Sequence, residues 1–294
     1  MSEDSFFFYH RNCFDGLMAA TIAKAVHPNA NFIDYEYGDE LPDFSTFRNK
    51  RLYLLDMTFD TIQLKQLLDV ATLITVIDHH PKAIQQRDLI QGSNIAFFVG
   101  DDKSGAQLTW EYFHPLEDEP DFVRWVGKRD RWLFDEPQIK PFTLGLSTLG
   151  FRLDDWVKVF TNSNGEICTK SNCRKRPATA ILKQGKSIAV FQEQQLNAII
   201  DNCQRWIELD GHRVVAVNAP KFLASEVASR LYAMYSFEQS PFVVVYQDET
   251  NYRTYSLRSA KGSPVNLTEL AMKFGGGGHA NAAGFKIPHD KKLH

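Results

Sequence analysis

Five short apolar runs punctuate the first hundred residues: 5–9 (SFFFY), 31–36 (NFIDYE), 51–56 (RLYLLD), 72–78 (TLITVID) and 95–99 (IAFFV). Each is too short for a buried helix and rich in β-branched or aromatic side chains. Each is also apolar at successive positions, which predicts strands covered on both faces. Amphipathic stretches near 16–27, 60–70, 82–90 and 104–114 separate them and predict helices. Strand–helix alternation of this kind implies a parallel, doubly wound sheet. Ligands of such sheets bind beyond the carboxyl ends of the strands. The residues that follow each run therefore carry the functional information.

Residues 115–148 are mostly helical in pattern, 161–177 (TNSNGEICTKSNCRKRP) read as a polar loop, and 178–206 predict one long helix. A second alternating unit follows, with strands at 213–218, 242–247, 252–258 and 284–287 and helices at 222–235 and 266–273. The expected fold is α/β: an N-terminal doubly wound, mostly parallel sheet and a smaller C-terminal α/β domain, joined by a helical linker. The boundaries are set at 1–148, 149–206 and 207–294. A length of 294 residues and 44% hydrophobic composition suit two such cores.

A net charge of -3 argues against a surface built to grip long duplex nucleic acid. The basic cluster Arg174-Lys175-Arg176 reads as a solvated loop. No apolar run reaches the ~18–20 residues of a membrane span, and the opening MSEDSFFFYHRNC lacks the pattern of a secretory leader. Four cysteines, Cys13, Cys168, Cys173 and Cys203, are too sparse for a disulfide framework and are expected to be free thiols in a cytoplasmic protein.

Three of the predicted strands end in reactive residues. SFFFY runs into His10-Arg11-Asn12-Cys13-Phe14-Asp15-Gly16, RLYLLD closes on Asp56, and TLITVI closes on Asp78-His79-His80. Asp130 stands apart, in Arg129-Asp130-Arg131-Trp132. Taken alone, Asp56 reads as a helix cap and the paired histidines as surface residues. On neighbouring parallel strands, however, these carboxylates and imidazoles converge on one crevice. Clustered anions repel and lose hydration there, and a divalent cation removes the conflict. Carboxylate-rich sets with one or two imidazoles suit Mn(II), then Mg(II), ahead of zinc.

Near the C-terminus, Ser256-Leu257-Arg258-Ser259 precedes Phe274-Gly275-Gly276-Gly277-Gly278-His279. Consecutive glycines let backbone N–H groups approach a ligand, and a guanidinium at a strand end forks onto phosphate. Gly276, Gly277, Gly278, Arg258 and His279 are thus candidates for phosphate or carboxylate binding.

Asp15-Gly16, Asp56, the Asp-His-His at 78–80 and GGGGHANAAGF together resemble the DHH phosphoesterase superfamily with its DHH-associated C-terminal domain. The resemblance runs from about residue 6 to 287. That group includes RecJ-type exonucleases, oligoribonucleases and dinucleotide phosphodiesterases. The resemblance implies metal ligation by Asp15, Asp56 (shared between two ions), His79 and Asp130. His80, with Asp78, takes the catalytic role beside the scissile phosphate, and Arg258 and His279 hold substrate.

The implied activity is metal-dependent hydrolysis of dinucleotides or short oligonucleotides to mononucleotides, with one or two ions, Mn(II) before Mg(II), per site. The alternatives are a phosphomonoesterase on a small nucleotide such as 3′-phosphoadenosine 5′-phosphate and a nucleotide-binding protein without turnover. The implied partner is a short nucleic acid or nucleotide. No membrane is involved, and the oligomeric state is open, a homodimer included.

One departure is plain. The family's first motif runs His-x-x-x-Asp-x-Asp-Gly. Aligned on Asp15-Gly16, its first aspartate becomes Cys13 and its histidine falls on Tyr9, with His10 one residue away. The set Asp15, Asp56, His79 and Asp130 is complete. A second set would use His10 and Cys13 with Asp56, with His10 either a ligand or a packing group and Cys13 a softer donor.

Overall fold

A computed structural model describes residues 4–173 and 177–290. The Arg174-Lys175-Arg176 cluster lies outside the described residues. The described chain divides into two compact units, Met1–Ala189 and Val190–His294.

The first unit holds a five-stranded sheet of β1 (Ser5–His10), β2 (Asn31–Tyr35), β3 (Arg51–Leu55), β4 (Leu73–Asp78) and β5 (Ile95–Val99). Its order is β2-β1-β3-β4-β5, with every neighbouring pair parallel. Side chains alternate across it. Phe7, Tyr9, Tyr53, Leu55 and Ile77 enter one core, while Phe8, Leu52, Leu54, Ile74 and Val76 enter the other. This two-residue alternation is why the runs read as apolar throughout. Central strands are buried on both faces; the edge strands β2 and β5 are half exposed.

The first core is roofed by α1 (Phe14–Val26), α4 (Gly105–Phe113), α5 (Asp121–Asp130), α6 (Ile139–Leu146) and α7 (Leu153–Phe160). The second is covered by α2 (Thr61–Leu68) and α3 (Pro81–Leu89). α7, which lies in the segment read as helical linker and was not picked out as a helix of its own, buries Trp156 and Phe160 completely. The strand order reverses between β1 and β3, so the ligand crevice of this architecture opens at their carboxyl ends.

α8 (Pro177–Cys203) follows, and its end corrects the expected one. Residues 204–206 are not the tail of a helix but the start of strand β6 (Gln204–Leu209). It pairs with β7 (His212–Asn218) across Asp210 and Gly211, both at positive φ (51° and 76°). That two-residue loop is the Asp-Gly hairpin turn, and it dictates the antiparallel pairing.

The second unit is a six-stranded mixed sheet, β10-β11-β9-β8-β7-β6. Here β8 is Val243–Asp248, β9 Tyr252–Arg258, β10 Gly277–His279 and β11 Ala282–Pro288. One face packs on α9 (Ala224–Met234) and Leu196 and Ile200 of α8, the other on α10 (Leu267–Lys273).

Cys168 and Cys173 depart from the expectation of free thiols. They are joined in a disulfide, with Cα atoms 5.1 Å apart. Asn172 turns the chain between them, accepting from Thr169 N (2.7 Å) and donating to Ile167 O (2.9 Å). Cys13 and Cys203 are free. Among the described residues no helix is long and apolar enough to cross a membrane.

Candidate metal centre

The strand ends of the first unit build one cluster. His10 is the last residue of β1, and the chain then turns through Asn12 in the left-handed region (φ 57°) to bring Cys13 and Asp15 back at the start of α1. Gly16 permits that return, because a Cβ there would lie 2.5 Å from the His10 carbonyl. Asp56 follows β3, also left-handed (φ 56°). A non-glycine residue at such an angle is strained, and strain of this kind gathers at functional sites. Asp78 closes β4, His79 and His80 lead into α3, and Asp130 is the last residue of α5. Tyr9, on the family's usual histidine position, is buried in the first core, so His10 is the imidazole that faces Asp56.

Asp56 is fully buried, yet neither carboxylate oxygen has a hydrogen bond within the protein. Its Oδ1 lies 3.3 Å from His79 Nε2, and its Oδ2 lies 3.6 Å from His10 Nδ1. His79 Nε2 is also 3.4 Å from Asp130 Oδ2 and 4.0 Å from Asp15 Oδ2. Asp15 Oδ2, Asp78 Oδ2, His79 Nε2 and His10 Nδ1 are likewise buried without hydrogen bonds. Buried polar atoms are almost always satisfied, so unsatisfied donors and acceptors this close together fit a cation. Among the described residues three donor groups meet the spacing of an ion site, each with its atoms within 4.8 Å: Asp15, His79 and Asp130; His10, Cys13 and Asp56; and Asp56 with Asp78, His79 and His80.

Protonation follows from the crowding. Burial, then the carboxylates of Asp56 and Asp130, push the Asp15 carboxyl well above the usual range. Burial and Asp56 also raise the Asp130 carboxyl. Burial also opposes ionisation of Asp56, but His10 and His79 outweigh it and hold Asp56 below the usual value. Burial would lower His79, yet Asp56, Asp15 and Asp130 together lift it to about 9. Burial raises the Cys13 thiol, helped by Asp56 and Asp15. A divalent ion must displace these protons. Binding of Mn(II) near pH 7.5 is therefore expected to release protons, and release should shrink as pH rises through about 9 and His79 is already neutral. Calorimetry in buffers of different ionisation enthalpy reads this directly; metal uptake with no proton release would contradict the assignment.

Supports around the cluster escaped the sequence reading. Asp15 Oδ1 accepts from Ser104 Oγ (2.7 Å) and Ala106 N (3.2 Å), at the start of α4. Ser104 and Gln107 form a capping box there, a Ser-x-x-Gln signal at the start of the helix expected near 104–114. Gly105 lets α4 press against the cluster, since a Cβ would meet the Asp56 side chain at 2.6 Å. Asp78 Oδ1 accepts from His79 N (2.7 Å), His80 N (3.2 Å) and His80 Nδ1 (2.7 Å), which ties down the backbone of both histidines and orients the His80 imidazole. A cavity of about 350 Å³ opens onto His10, Cys13, Asp15 and Asp130, with Arg11, Arg129 and Phe151 at its walls.

In the second unit, Arg258, Gly276 and Gly277 line a separate cavity of about 520 Å³. The four glycines divide by role. A Cβ at Gly276 would meet Gly284 O at 2.1 Å and one at Gly278 would meet Ala282 O at 2.5 Å, so these two let β10 lie against β11. Gly277 faces open space. His279 is exposed on β10 and does not line the cavity.

Residues 214–294 match the family model of the DHHA1 domain. Two solved structures share the fold over 97% of this chain, each at 14% identity. One is a pGpG-specific phosphodiesterase, PggH, from Vibrio cholerae (94% of that chain, TM-score 0.55). The other is a DHH domain described as a member of the S1p family of ribosomal proteins (83% of that chain, TM-score 0.57). The family match is to residues 214–294, and the likeness to the two solved structures is one of fold. The uncharacterized protein R106 of Acanthamoeba polyphaga mimivirus is 28% identical over 296 residues. That match takes in 94% of this chain and spans 66% of the viral relative's length.

Proposed function

We propose that this chain is a DHH-type, metal-dependent phosphoesterase that hydrolyses phosphodiester bonds in dinucleotides or short oligonucleotides. The observation that carries the reading is Asp56, a fully buried carboxylate whose two unpartnered oxygens face two different imidazoles. Asp15, Asp56, His79 and Asp130 would hold one ion, Mn(II) ahead of Mg(II), and His10 and Cys13 would share Asp56 with a second. A bound divalent ion supplies Lewis acidity, acidifying water and neutralising phosphoryl charge.

The protein's own part is positioning. Asp78 accepts the His80 Nδ1 hydrogen bond and raises that imidazole above its ordinary value, so the protonated ring keeps a second N–H, at Nε2, to donate to a phosphoryl oxygen. In the second unit Arg258 and the N–H groups of Gly276 and Gly277 suit a phosphate or nucleotide. The pGpG-specific neighbour favours the dinucleotide end of the substrate range. The net charge of -3 agrees, since long polyanions are gripped by many basic contacts.

The test is a panel with Mn(II), with and without EDTA: a dinucleotide, a five-nucleotide RNA, a long single strand, and 3′-phosphoadenosine 5′-phosphate. Release of mononucleotides from the first two, abolished by EDTA, is the expected result. Turnover of 3′-phosphoadenosine 5′-phosphate alone would replace the diesterase with a monoesterase.

Base recognition has a candidate. Phe151 is 43% exposed beside the cavity and stacks on Phe14, with ring centroids 5.1 Å apart. Stacking of a base on an aromatic is worth ~1–3 kcal/mol. Phe151→Ala is expected to raise KM for a dinucleotide about 5- to 150-fold, by the same energy range, and to spare hydrolysis of a base-free diester such as bis(p-nitrophenyl) phosphate. Equal loss on both substrates would remove Phe151 from base binding.

A further inference from the structure

We propose that His10, Cys13 and Asp56 form a mixed nitrogen, sulfur and oxygen site that takes a borderline ion, Zn(II) or Co(II), so that the centre holds two unlike metals. The inference rests on the strand-end cluster being a metal centre and adds which ion goes where.

The geometry begins with Asp56, which presents Oδ1 to His79 (3.3 Å) and Oδ2 to His10 (3.6 Å). One carboxylate thus faces two donor sets. Beyond Oδ1 lie Asp15, Asp130 and His79, a set of mostly hard oxygens. On the side of Oδ2 lies His10, and among the described residues His10, Cys13 and Asp56 form a donor group with atoms within 4.8 Å of one another. Two ligands bound at about 2.0–2.1 Å in a tetrahedral site stand roughly 3.3–3.4 Å apart. The 3.6 Å from His10 Nδ1 to Asp56 Oδ2 needs little adjustment to reach that. His10 Nδ1 and both Asp56 oxygens are buried and unpartnered. Cys13 is a free cysteine that lines the cavity, so the sulfur is in reach of an entering ion.

The placement of Cys13 has its own local cause. The left-handed turn at Asn12 and the absent side chain at Gly16 fold the start of α1 back onto the end of β1. These devices bring Cys13 to the carboxylate, where an apolar structural thiol has no reason to sit.

Softness separates the two sets. Thiolate and imidazole favour Zn(II) and Co(II), and carboxylates favour Mn(II) and Mg(II). Charge also closes: two divalent ions bring four positive charges to Asp15, Asp56, Asp130 and the Cys13 thiolate. A single hard metal in both positions, as an all-carboxylate centre would hold, places a poorly matched ion on the sulfur.

The test is titration of the metal-free full chain with Co(II), following bound metal and near-ultraviolet absorbance. Two equivalents are expected, with a thiolate-to-cobalt charge-transfer band. Cys13→Ser should lose the band and one equivalent. Cys13→Asp should recover the second equivalent without the band and shift that position's preference from Zn(II) towards Mn(II), which separates loss of a ligand from loss of the fold. Binding of Co(II) without the band, or a band that persists in Cys13→Ser, overturns the inference while leaving the metal centre intact. No bound Co(II) at all would overturn both the inference and the centre on which it rests.

Discussion

Asp56→Asn is expected to lower metal-dependent hydrolysis by at least ~1,000-fold while the fold is kept. Removing Lewis-acid stabilisation costs several kcal/mol, and each ~1.4 kcal/mol is tenfold in rate. Asp56 is the residue on which both donor sets depend, through Oδ1 to His79 and Oδ2 to His10. Asparagine keeps the shape but offers one weak oxygen and an amide that repels a cation. No other side chain in the cluster faces both imidazoles in this way. Near-normal turnover by Asp56→Asn, with circular dichroism unchanged, would remove the bridging role.

Stability should move in the opposite direction from activity at Asp130. In the metal-free protein, burial and Asp56 push the Asp130 carboxyl up, so its ionised form is a burden there. Asp130→Asn relieves that repulsion and is expected to raise the melting temperature of the metal-free protein, by ~2–4 °C for each kcal/mol recovered. Added metal should show the converse. An ion at 100 times its dissociation constant stabilises the wild type by ~2.7 kcal/mol, or about 5–11 °C, and should stabilise Asp130→Asn far less. Melting curves of both proteins with EDTA and with Mn(II) read all four values. A wild type indifferent to metal, or a variant that melts lower without it, would contradict this balance.

The positions of β1, β3 and β4 were legible because their residues alternate between two cores and look apolar at every step. Their endings were legible because polar residues appear where the apolar run stops. Convergence of those endings depended on strand order, and β1, β3 and β4 lie side by side. Asp130 was legible by motif alone, since a helix end far along the chain carries no periodicity that points to a sheet.

Other features gave weaker signals or none. α7 has only eight residues, too few turns for a helical repeat to stand out. β6 was read as helix because QRW continues a helical run, although Asp210-Gly211 announced a hairpin. The Cys168–Cys173 pairing depends on a turn that Asn172 makes, which spacing does not encode. The glycine run was read as a ligand cradle throughout, whereas Gly276 and Gly278 answer to β11 packing, and Gly275 and Gly277 face open space. Ser104 and Phe151 reach the cluster only through tertiary contacts.

The most direct measurement is turnover of a dinucleotide by EDTA-stripped protein as Mn(II) is returned, with bound metal counted in the same samples. The expected result is no hydrolysis in the stripped protein, recovery in step with occupancy, and neither binding nor recovery of comparable strength in Asp56→Asn. Hydrolysis that persists without metal, or metal that binds fully without any turnover of a phosphodiester, would contradict the account.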